Sequence, residues 1–90
     1  MEFEWDEPKR LRVLAERKID FRDMLAAFDG RYAYTIDSSR NGEPRYITIT
    51  AINGKCFAVI WTLRDKHIRI ITARRARNDE ERYYYQTDDG

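Results

Sequence analysis

The dipeptide Asn53-Gly54 is the strongest constraint that this sequence places on its fold. It separates two stretches rich in β-branched and aromatic residues, Arg45–Ile52 and Lys55–Leu63. Asn-Gly is typical of the two-residue type I′ turn, whose twist matches that of antiparallel strands. We therefore predict a β-hairpin in which Ile52 pairs with Lys55.

This register assigns each side chain of the hairpin to one of two faces, because successive strand residues point in opposite directions. One predicted face is almost purely apolar and comprises Ile47, Ile49, Ala51, Cys56, Ala58 and Ile60. The other is mixed and aromatic, and comprises Tyr46, Thr48, Thr50, Phe57, Val59 and Trp61. We expect helices to cover the apolar face and the mixed face to stay open.

Two helices are predicted before the hairpin. Asp6 is a suitable N-cap for a helix over Glu7–Arg17, with Pro8 in the first turn, where proline is tolerated. A second helix is expected to begin after Asp20 and to stop at Gly30. Its apolar residues recur at the i, i+3, i+4, i+7 spacing of an amphipathic helix.

The remaining chain predicts an α+β fold. Strands are expected at Met1–Trp5, Arg31–Ile36 and His67–Ala73, a loop at Asp37–Pro44, and a short helix at about Asp79–Gln86. The prediction is thus a short N-terminal strand, two helices packed on one face of a mainly antiparallel sheet, and a short C-terminal helix. Ninety residues suit one domain over 1–90, with 86–90 as a loose tail.

Charge is balanced over the whole chain but not along it. Seventeen Lys/Arg against 16 Asp/Glu give a formal net charge of +1, so total charge does not indicate a nucleic-acid partner. Between residues 64 and 77, however, six Lys/Arg stand against the single acid Asp65. This segment predicts a cationic surface built on β-strands.

Composition argues against several kinds of site. Cys56 is the single cysteine and His67 the single histidine, so neither a disulfide framework nor a Cys/His zinc site is expected. No apolar run approaches the roughly 20 residues that span a bilayer, and the acidic N-terminus is unlike a secretory signal. We expect a cytoplasmic protein that uses no metal and no cofactor.

The turn after Leu63 decides the face on which Arg69 lies. A three-residue loop over 64–66 places Arg69 opposite Trp61 on the mixed face. A two-residue loop instead places Arg69 beside Thr62. The sequence is compatible with both.

Several separate motifs resemble the BrnT family of bacterial type II toxins. They stand in order along the chain and are Phe3-Glu4-Trp5-Asp6-Glu7, Phe21, Phe28-Asp29, Glu43-Pro44-Arg45-Tyr46-Ile47-Thr48-Ile49 and Ile68-Arg69-Ile70-Ile71-Thr72-Ala73-Arg74-Arg75-Ala76. The resemblance covers Phe3 to about Tyr84 and is carried by motifs distributed over nearly the whole chain.

The resemblance implies a RelE-like fold and a ribonuclease toxin that cleaves RNA without a metal and so inhibits translation. It also implies a neutralising partner, an antitoxin of the BrnA type that carries a DNA-binding domain. The toxin would then reach DNA only through the antitoxin, in a complex that represses its own operon.

One motif departs from the family pattern. Many BrnT proteins carry Lys-His-Gly where this chain has Glu16-Arg17-Lys18. The positive charge is kept, but a group that titrates near neutral pH is not. The alternative function is therefore a non-catalytic RNA- or antitoxin-binding module that acts in operon autoregulation.

Metal-free RNA cleavage needs a base for the 2′-hydroxyl, cations for the charge on phosphorus, and an acid for the leaving oxygen. We expect Arg64 and Arg69 to supply the cations, since the planar guanidinium binds two phosphate oxygens at once. Glu43 is the candidate base, with a surface salt bridge to Arg45 as its structural alternative. His67 is a candidate acid or base.

Aromatic residues supply candidate base contacts. Trp61 and Tyr46 are cross-strand neighbours on the predicted mixed face and can stack a base, or else simply cover the sheet. Arg64 flanks this pair. The sequence thus predicts one site that combines stacking rings with phosphate-binding arginines.

Further RNA contacts are predicted around this site. Arg74 and Arg75 should point to opposite faces, so that one of them serves the site. Tyr83 is a candidate on the last helix, either as a proton donor or as a core residue. Arg17 and Lys18 are candidate phosphate contacts at the position of the family motif.

Overall fold

Five strands form one sheet in the computed structural model, which describes residues 1–88. The strands are β1 (Glu2–Trp5), β2 (Tyr34–Asp37), β3 (Tyr46–Ile52), β4 (Lys55–Arg64) and β5 (His67–Arg75). Their order across the sheet is β1-β5-β4-β3-β2, and every neighbouring pair is antiparallel except β1 and β5. The helices are α1 (Glu7–Arg17), a 3-10 helix (Asp23–Phe28) and α2 (Asn78–Thr87). The predicted α+β class is confirmed.

The turn between β3 and β4 sets the register as predicted. Asn53 and Gly54 have φ angles of 53° and 78°, as a type I′ turn requires. Ile52 is paired with Lys55, and the pairing continues without a shift along the whole of β3. The predicted pairing of this hairpin is confirmed.

The turn between β4 and β5 has two residues, which decides between the two alternatives. Asp65 and Lys66 have φ angles of 50° and 67°, and Arg64 pairs with His67. Arg69 therefore pairs with Thr62 and lies on the face opposite to Trp61.

The predicted loop over Asp37–Pro44 forms a narrow hairpin between β2 and β3. The backbones of Arg40 and Glu43 exchange two hydrogen bonds of 3.2 and 2.8 Å. Both residues of the intervening Asn41-Gly42 have positive φ angles, 51° and 79°. No named strand or helix falls within residues 38–45, as a loop requires. The turn itself is not predicted from the sequence, and in it this second Asn-Gly dipeptide has the same kind of geometry as Asn53-Gly54. We call residues 38–45 the β2–β3 hairpin tip.

Helix α1 has the predicted bounds. The carboxylate of Asp6 accepts a hydrogen bond of 3.2 Å from the N–H of Lys9, which is the expected capping contact. At the other end, the N–H of Lys18 donates to the carbonyl of Leu14 at 3.0 Å, and Lys18 has a φ of 60°. The helix therefore stops on a lysine in the left-handed region, where glycine is favoured.

The left-handed Lys18 leads to a stability prediction. A β-carbon there costs roughly 1–2 kcal/mol, and glycine adds about 0.4–1 kcal/mol of chain entropy to the unfolded state. We expect Lys18→Gly to raise the free energy of unfolding in urea by about 0.5–1 kcal/mol, the balance of these effects. Glu16→Gly, inside the helix, should lower it by a similar amount. A lower stability for Lys18→Gly would contradict the argument.

The second predicted helix is wrong in type. It is a 3-10 helix without a side-chain cap. The carboxylate of Asp20 accepts the N–H of Arg22 at 2.9 Å, and it also binds the guanidinium groups of Arg22 and Arg10 at 2.9 and 3.1 Å. The carboxylate of Asp20 therefore links α1 to the segment that follows, and it does not act as the N-cap of an α-helix. Gly30, with a φ of 96°, ends the segment as expected.

The predicted assignment of the two sheet faces is inverted. The mixed face packs under α1 and the 3-10 helix, with Val59 in the same core cluster as Phe21 and Met24. The apolar face packs instead against Tyr84 of α2. Its small side chains, such as Ala58, leave room for the tyrosine ring, whereas the larger residues of the mixed face fill the space between strand and helix.

Helix α2 is one residue longer at each end than predicted. Residues 86 and 87 of the predicted loose tail are helical, and residues 89 and 90 lie outside the described residues. None of the helices within residues 1–88 has the length and apolar character needed to cross a membrane.

Candidate functional site

An arginine-rich cleft of about 930 Å³ lies on the face of the sheet that α2 covers only in part. Strands β3, β4 and β5 provide its floor, and the β2–β3 hairpin tip provides a wall. It is lined by Ser38, Arg40, Glu43, Pro44, Arg45, Ile47, Thr62, Arg64, Arg69 and Ile71. We call this site the arginine cleft.

The charge of the cleft lining is strongly positive. Four of the lining residues are arginines, and Glu43 is the single acid among them. Arg40, Arg45 and Arg64 are exposed, and the side chain of Arg69 is 29% exposed. Guanidinium groups bind phosphate oxygens in pairs, so this lining suits a phosphodiester.

The hairpin tip is held over β4 by a side chain of the floor. The hydroxyl of Thr62 donates a hydrogen bond of 2.6 Å to the carbonyl of Pro44. Pro44 lies between Glu43 and Arg45, so this contact fixes the backbone on which both side chains stand. The position of the cleft wall therefore depends on a threonine that the sequence does not single out.

Arg69 is oriented by an acid from the neighbouring strand. Its Nη1 donates to Oε2 of Glu4 at 2.9 Å, between residues that are paired across β5 and β1. A guanidinium has five N–H donors, so one hydrogen bond leaves donors available to a ligand. Glu4 thus holds the guanidinium at the edge of the cleft.

His67 lies next to the arginine cleft and not within its lining. Its Nε2 is 2.5 Å from Oε2 of Glu2, and this hydrogen bond raises the pKa of His67 above its usual value. His67 shares a second, shallower depression with Arg64, which lines both. Of the four predicted catalytic residues, Arg64, Arg69 and Glu43 share one cleft, and His67 adjoins it through Arg64.

The predicted aromatic pair lies on the opposite face. The rings of Tyr46 and Trp61 are neighbours, with centroids 4.8 Å apart. However, the ring of Phe28 meets Trp61 edge-on at 5.3 Å, and the indole N–H donates to the hydroxyl of Thr48 at 2.8 Å. The alternative that places Arg69 opposite Trp61 is excluded, because the two-residue turn puts Arg69 on the other face. The expectation that the mixed face stays open is wrong, because the 3-10 helix packs on it through Phe28.

Arg74 and Arg75 point to opposite faces, as predicted. The guanidinium of Arg74 binds the carboxylate of Glu80 through two hydrogen bonds of 2.8 and 3.0 Å. Arg75 donates to the carbonyl of Cys56 at 3.2 Å and lies 5.6 Å from the centre of the Phe57 ring. Neither arginine lines the arginine cleft.

The remaining predicted contacts are also spread over the surface. Arg17 donates to the carbonyl of Ala73 at 2.8 Å, on the part of β5 that extends beyond β1. Lys18 lines a separate pocket of about 230 Å³ together with Phe57. Tyr83 is exposed on α2, on the same side of the sheet as the cleft.

The cleft also contains two arginines that no sequence motif singles out. Arg40 and Arg45 stand on the two sides of the β2–β3 hairpin tip. Their signal is the Asn41-Gly42 turn, which brings residues on either side of it together. A loop assignment for this segment conceals that proximity.

Comparison with protein families identifies the family of this chain. Residues 5–80 match the family described as "Ribonuclease toxin, BrnT, of type II toxin-antitoxin system". The chain belongs to the BrnT family. The matched range contains every residue that lines the arginine cleft. Membership implies an antitoxin partner, and a comparison with curated proteins finds no match.

Proposed function

We propose that the arginine cleft is the RNA site of a metal-independent endoribonuclease that inhibits translation. One observation carries the proposal: four arginines and a single carboxylate converge in one open cleft of a BrnT protein. A mainly antiparallel sheet with α1 and the 3-10 helix on one face, and with α2 and the cleft on the other, also supports a RelE-like fold. The chemistry follows from the residues of the cleft.

Cleavage begins when the 2′-oxygen of a ribose attacks the adjacent phosphorus. Glu43 accepts the proton of the 2′-hydroxyl as the 2′-oxygen–phosphorus bond forms. Arg64 and Arg69 stabilise the negative charge that develops on the non-bridging oxygens. The bond to the 5′-oxygen breaks and that oxygen takes up a proton, which leaves a 2′,3′-cyclic phosphate and a 5′-hydroxyl.

His67 is the proposed donor of that proton. A group acting as an acid at neutral pH must keep its proton there, and the hydrogen bond to Glu2 raises the pKa of His67 in the required direction. The contact also fixes the ring beside Arg64. This assignment does not need the histidine that Arg17 replaces in the family motif.

The assignment of Glu43 predicts a large loss of rate without a loss of affinity. We expect Glu43→Gln to slow single-turnover cleavage of single-stranded RNA by about 10²–10⁴-fold, since glutamine cannot accept the proton. The measurement is made in EDTA, with the exposed Glu16→Gln as the matched control. An unchanged rate would show that Glu43 is not the base. Loss of wild-type cleavage in EDTA would show that cleavage requires a metal.

The assignment of His67 predicts a pH dependence of the rate. The imidazolium is lost as pH rises through a pKa above the ordinary value of about 6.5, so cleavage should decline on the alkaline side of that value. Glu2→Gln removes the carboxylate charge that favours the imidazolium, and should shift the decline to lower pH. If His67→Asn retains the same alkaline limb, the acid is another group.

We further propose that a BrnA-type antitoxin neutralises the toxin by laying an acidic or amphipathic segment over the arginine cleft. The excess of arginine over acid in the lining supports this partner chemistry. The antitoxin should then compete with a short RNA for the cleft, and DNA should be bound only by the complex. An interface mapped far from Arg64 would contradict direct occlusion.

The alternative remains a non-catalytic module that binds RNA or antitoxin. It is favoured by Arg17, which stands at the position of the family histidine and donates a hydrogen bond to a backbone carbonyl of β5. Purified protein that retains RNA and leaves it intact for hours would support this function. Formation of cyclic phosphate ends, absent in Glu43→Gln, would exclude it.

A further inference from the structure

The arginine cleft offers cations but no aromatic ring. Its lining in the described chain has no Phe, Tyr, Trp or His, and the rings of Tyr46 and Trp61 are on the other face. Proteins that bind single-stranded RNA combine a cationic groove with side chains on which bases stack. Bases attached to phosphates in this cleft would therefore lie on a neighbouring surface.

Two exposed apolar side chains stand beside the cleft on the same face. Ile36 is 39% exposed and pairs with Ile47, which lines the cleft. Tyr83 of α2 is 52% exposed, and its ring meets that of Tyr34 at 4.8 Å. Tyr34 pairs with Ile49, which is the next pair on this face away from the cleft.

The strand geometry gives the reach of this surface. Residues two apart on a strand are separated by about 6.6 Å. The Tyr34 pair is therefore one such step from the Ile36 pair, and Arg45 of the cleft is one step away on the other side. Arg45 and the Tyr34 pair therefore stand two steps, about 13 Å, apart on one face, with the Ile36 pair between them.

The surface is held rigid from below. The hydroxyl of Tyr34 donates a hydrogen bond of 2.8 Å to the carbonyl of Glu80. Burial raises the pKa of Tyr34 to about 12, so the hydroxyl keeps its proton and continues to donate. A support that does not move on binding lowers the entropic cost of ordering a ligand.

We infer that Tyr83, supported by Tyr34 and Ile36, is a stacking shelf for one base of single-stranded RNA whose neighbouring phosphate lies in the arginine cleft. The inference rests on the proposed function and names the base-binding part of that site. One ring and one isoleucine form a small apolar area beside four arginines. This combination fits a nucleotide, which joins a flat base to an anion, better than the apolar stripe of a protein helix.

The test compares a strand that has bases with one that lacks them. Binding is measured by fluorescence anisotropy with a uniformly 2′-O-methylated RNA of about 12 nucleotides, which cannot be cleaved, and with an abasic strand of equal length. We expect Tyr83→Ala to weaken binding of the base-bearing RNA by about 5- to 100-fold and to leave the abasic strand unaffected. Tyr83→Phe should bind as wild type does. Tyr85→Ala, which removes another exposed tyrosine of α2, is the matched control.

If Tyr83→Ala weakens binding of both strands equally, the variant has damaged the fold, and Ile36→Ser takes its place in the test. An Ile36→Ser variant that does not discriminate between the strands, or a Tyr83→Ala variant that binds the base-bearing RNA as wild type does, would overturn the inference. Unchanged RNA binding with weakened antitoxin binding would assign the surface to the protein partner. Failure of the proposed function has a different signature, since wild type and an Arg64→Ala/Arg69→Ala variant would then bind the base-bearing strand equally.

Discussion

An Arg64→Ala/Arg69→Ala variant is expected to lose growth arrest on induction and to cleave RNA at least about 10³-fold more slowly than wild type. Both guanidinium groups line the arginine cleft. Removing one preorganised donor from a developing oxyanion already costs about 10²–10³ in rate. The effect is measured by colony counts after induction and by single-turnover cleavage in EDTA.

The same variant should change the salt dependence of binding. Each phosphate contact to a single strand contributes about 0.7 to the slope of log K against log salt concentration, so losing two should reduce the slope by about 1.4. Thermal melting verifies that the variant is folded. The carboxylate of Glu4, left without Arg69, is 34% exposed, so water can solvate it.

A matched variant separates the cleft from total charge. Arg12→Ala/Lys55→Ala removes the same two positive charges from exposed positions outside the cleft. It should arrest growth as wild type does. If it is equally inactive, or if the cleft variant stays toxic, the arginine cleft is not the site of cleavage.

Turn chemistry explains why the pairing of β3 with β4 could be predicted from the sequence. A type I′ turn needs positive φ angles at both residues, and Asn53-Gly54 is a strong local signal for them. Asn41-Gly42 gives the same signal, but the serines and the proline around it favour irregular backbone and so predict a loop. Without this turn, Arg40 and Arg45 are not predicted to lie together at the cleft.

The orientation of Arg69 could not be predicted for a different reason. The turn before it places Asp65 and Lys66 at positive φ angles, and lysine has no intrinsic preference for that region. Turn length was therefore not encoded locally. A change of one residue in the turn would move Arg69 to the other face of the sheet.

The faces of the sheet are not distinguished by the sequence, because each of them carries a buried core cluster. Apolar patterning identifies a buried face, but it does not identify which helix covers it. Small residues such as Ala58 and Cys56 lie under Tyr84 of α2, and larger ones lie under α1. The fit between side-chain volumes of the sheet and of the helices decides which helix packs on which face. This fit can be judged only when all the helices are placed.

Arg74→Met is expected to lower the free energy of unfolding in urea by about 2–3 kcal/mol. Glu80 is only 8% exposed, and its carboxylate would lose the two hydrogen bonds from Arg74. Breaking a fully buried ion pair costs about 3–5 kcal/mol, and the lower figure allows for the 22% exposure of the Arg74 side chain. Arg12→Met, an exposed arginine of α1, should change stability by less than about 0.5 kcal/mol.

Removing the acid as well should restore most of this loss. In Arg74→Met/Glu80→Gln no buried charge is left unpaired, and the glutamine amide oxygen can still accept the N–H of Arg77, which donates to Glu80 at 2.8 Å. We expect the double variant to lie within about 1 kcal/mol of wild type. A double variant as unstable as Arg74→Met would mean that packing of the arginine stem, and not charge, provides the stabilisation.

The ion pair also predicts how stability depends on pH. Arg74 lowers the pKa of Glu80 below its ordinary value of about 4.3. The stabilisation is therefore complete above that value and is lost as pH falls through the lower pKa of the folded state. Between about pH 6 and about pH 3 wild type should lose more stability than Arg74→Met/Glu80→Gln. RNA cleavage by folded Arg74→Met should match wild type, because Arg74 stabilises α2 on the sheet and the phosphate contacts lie in the cleft.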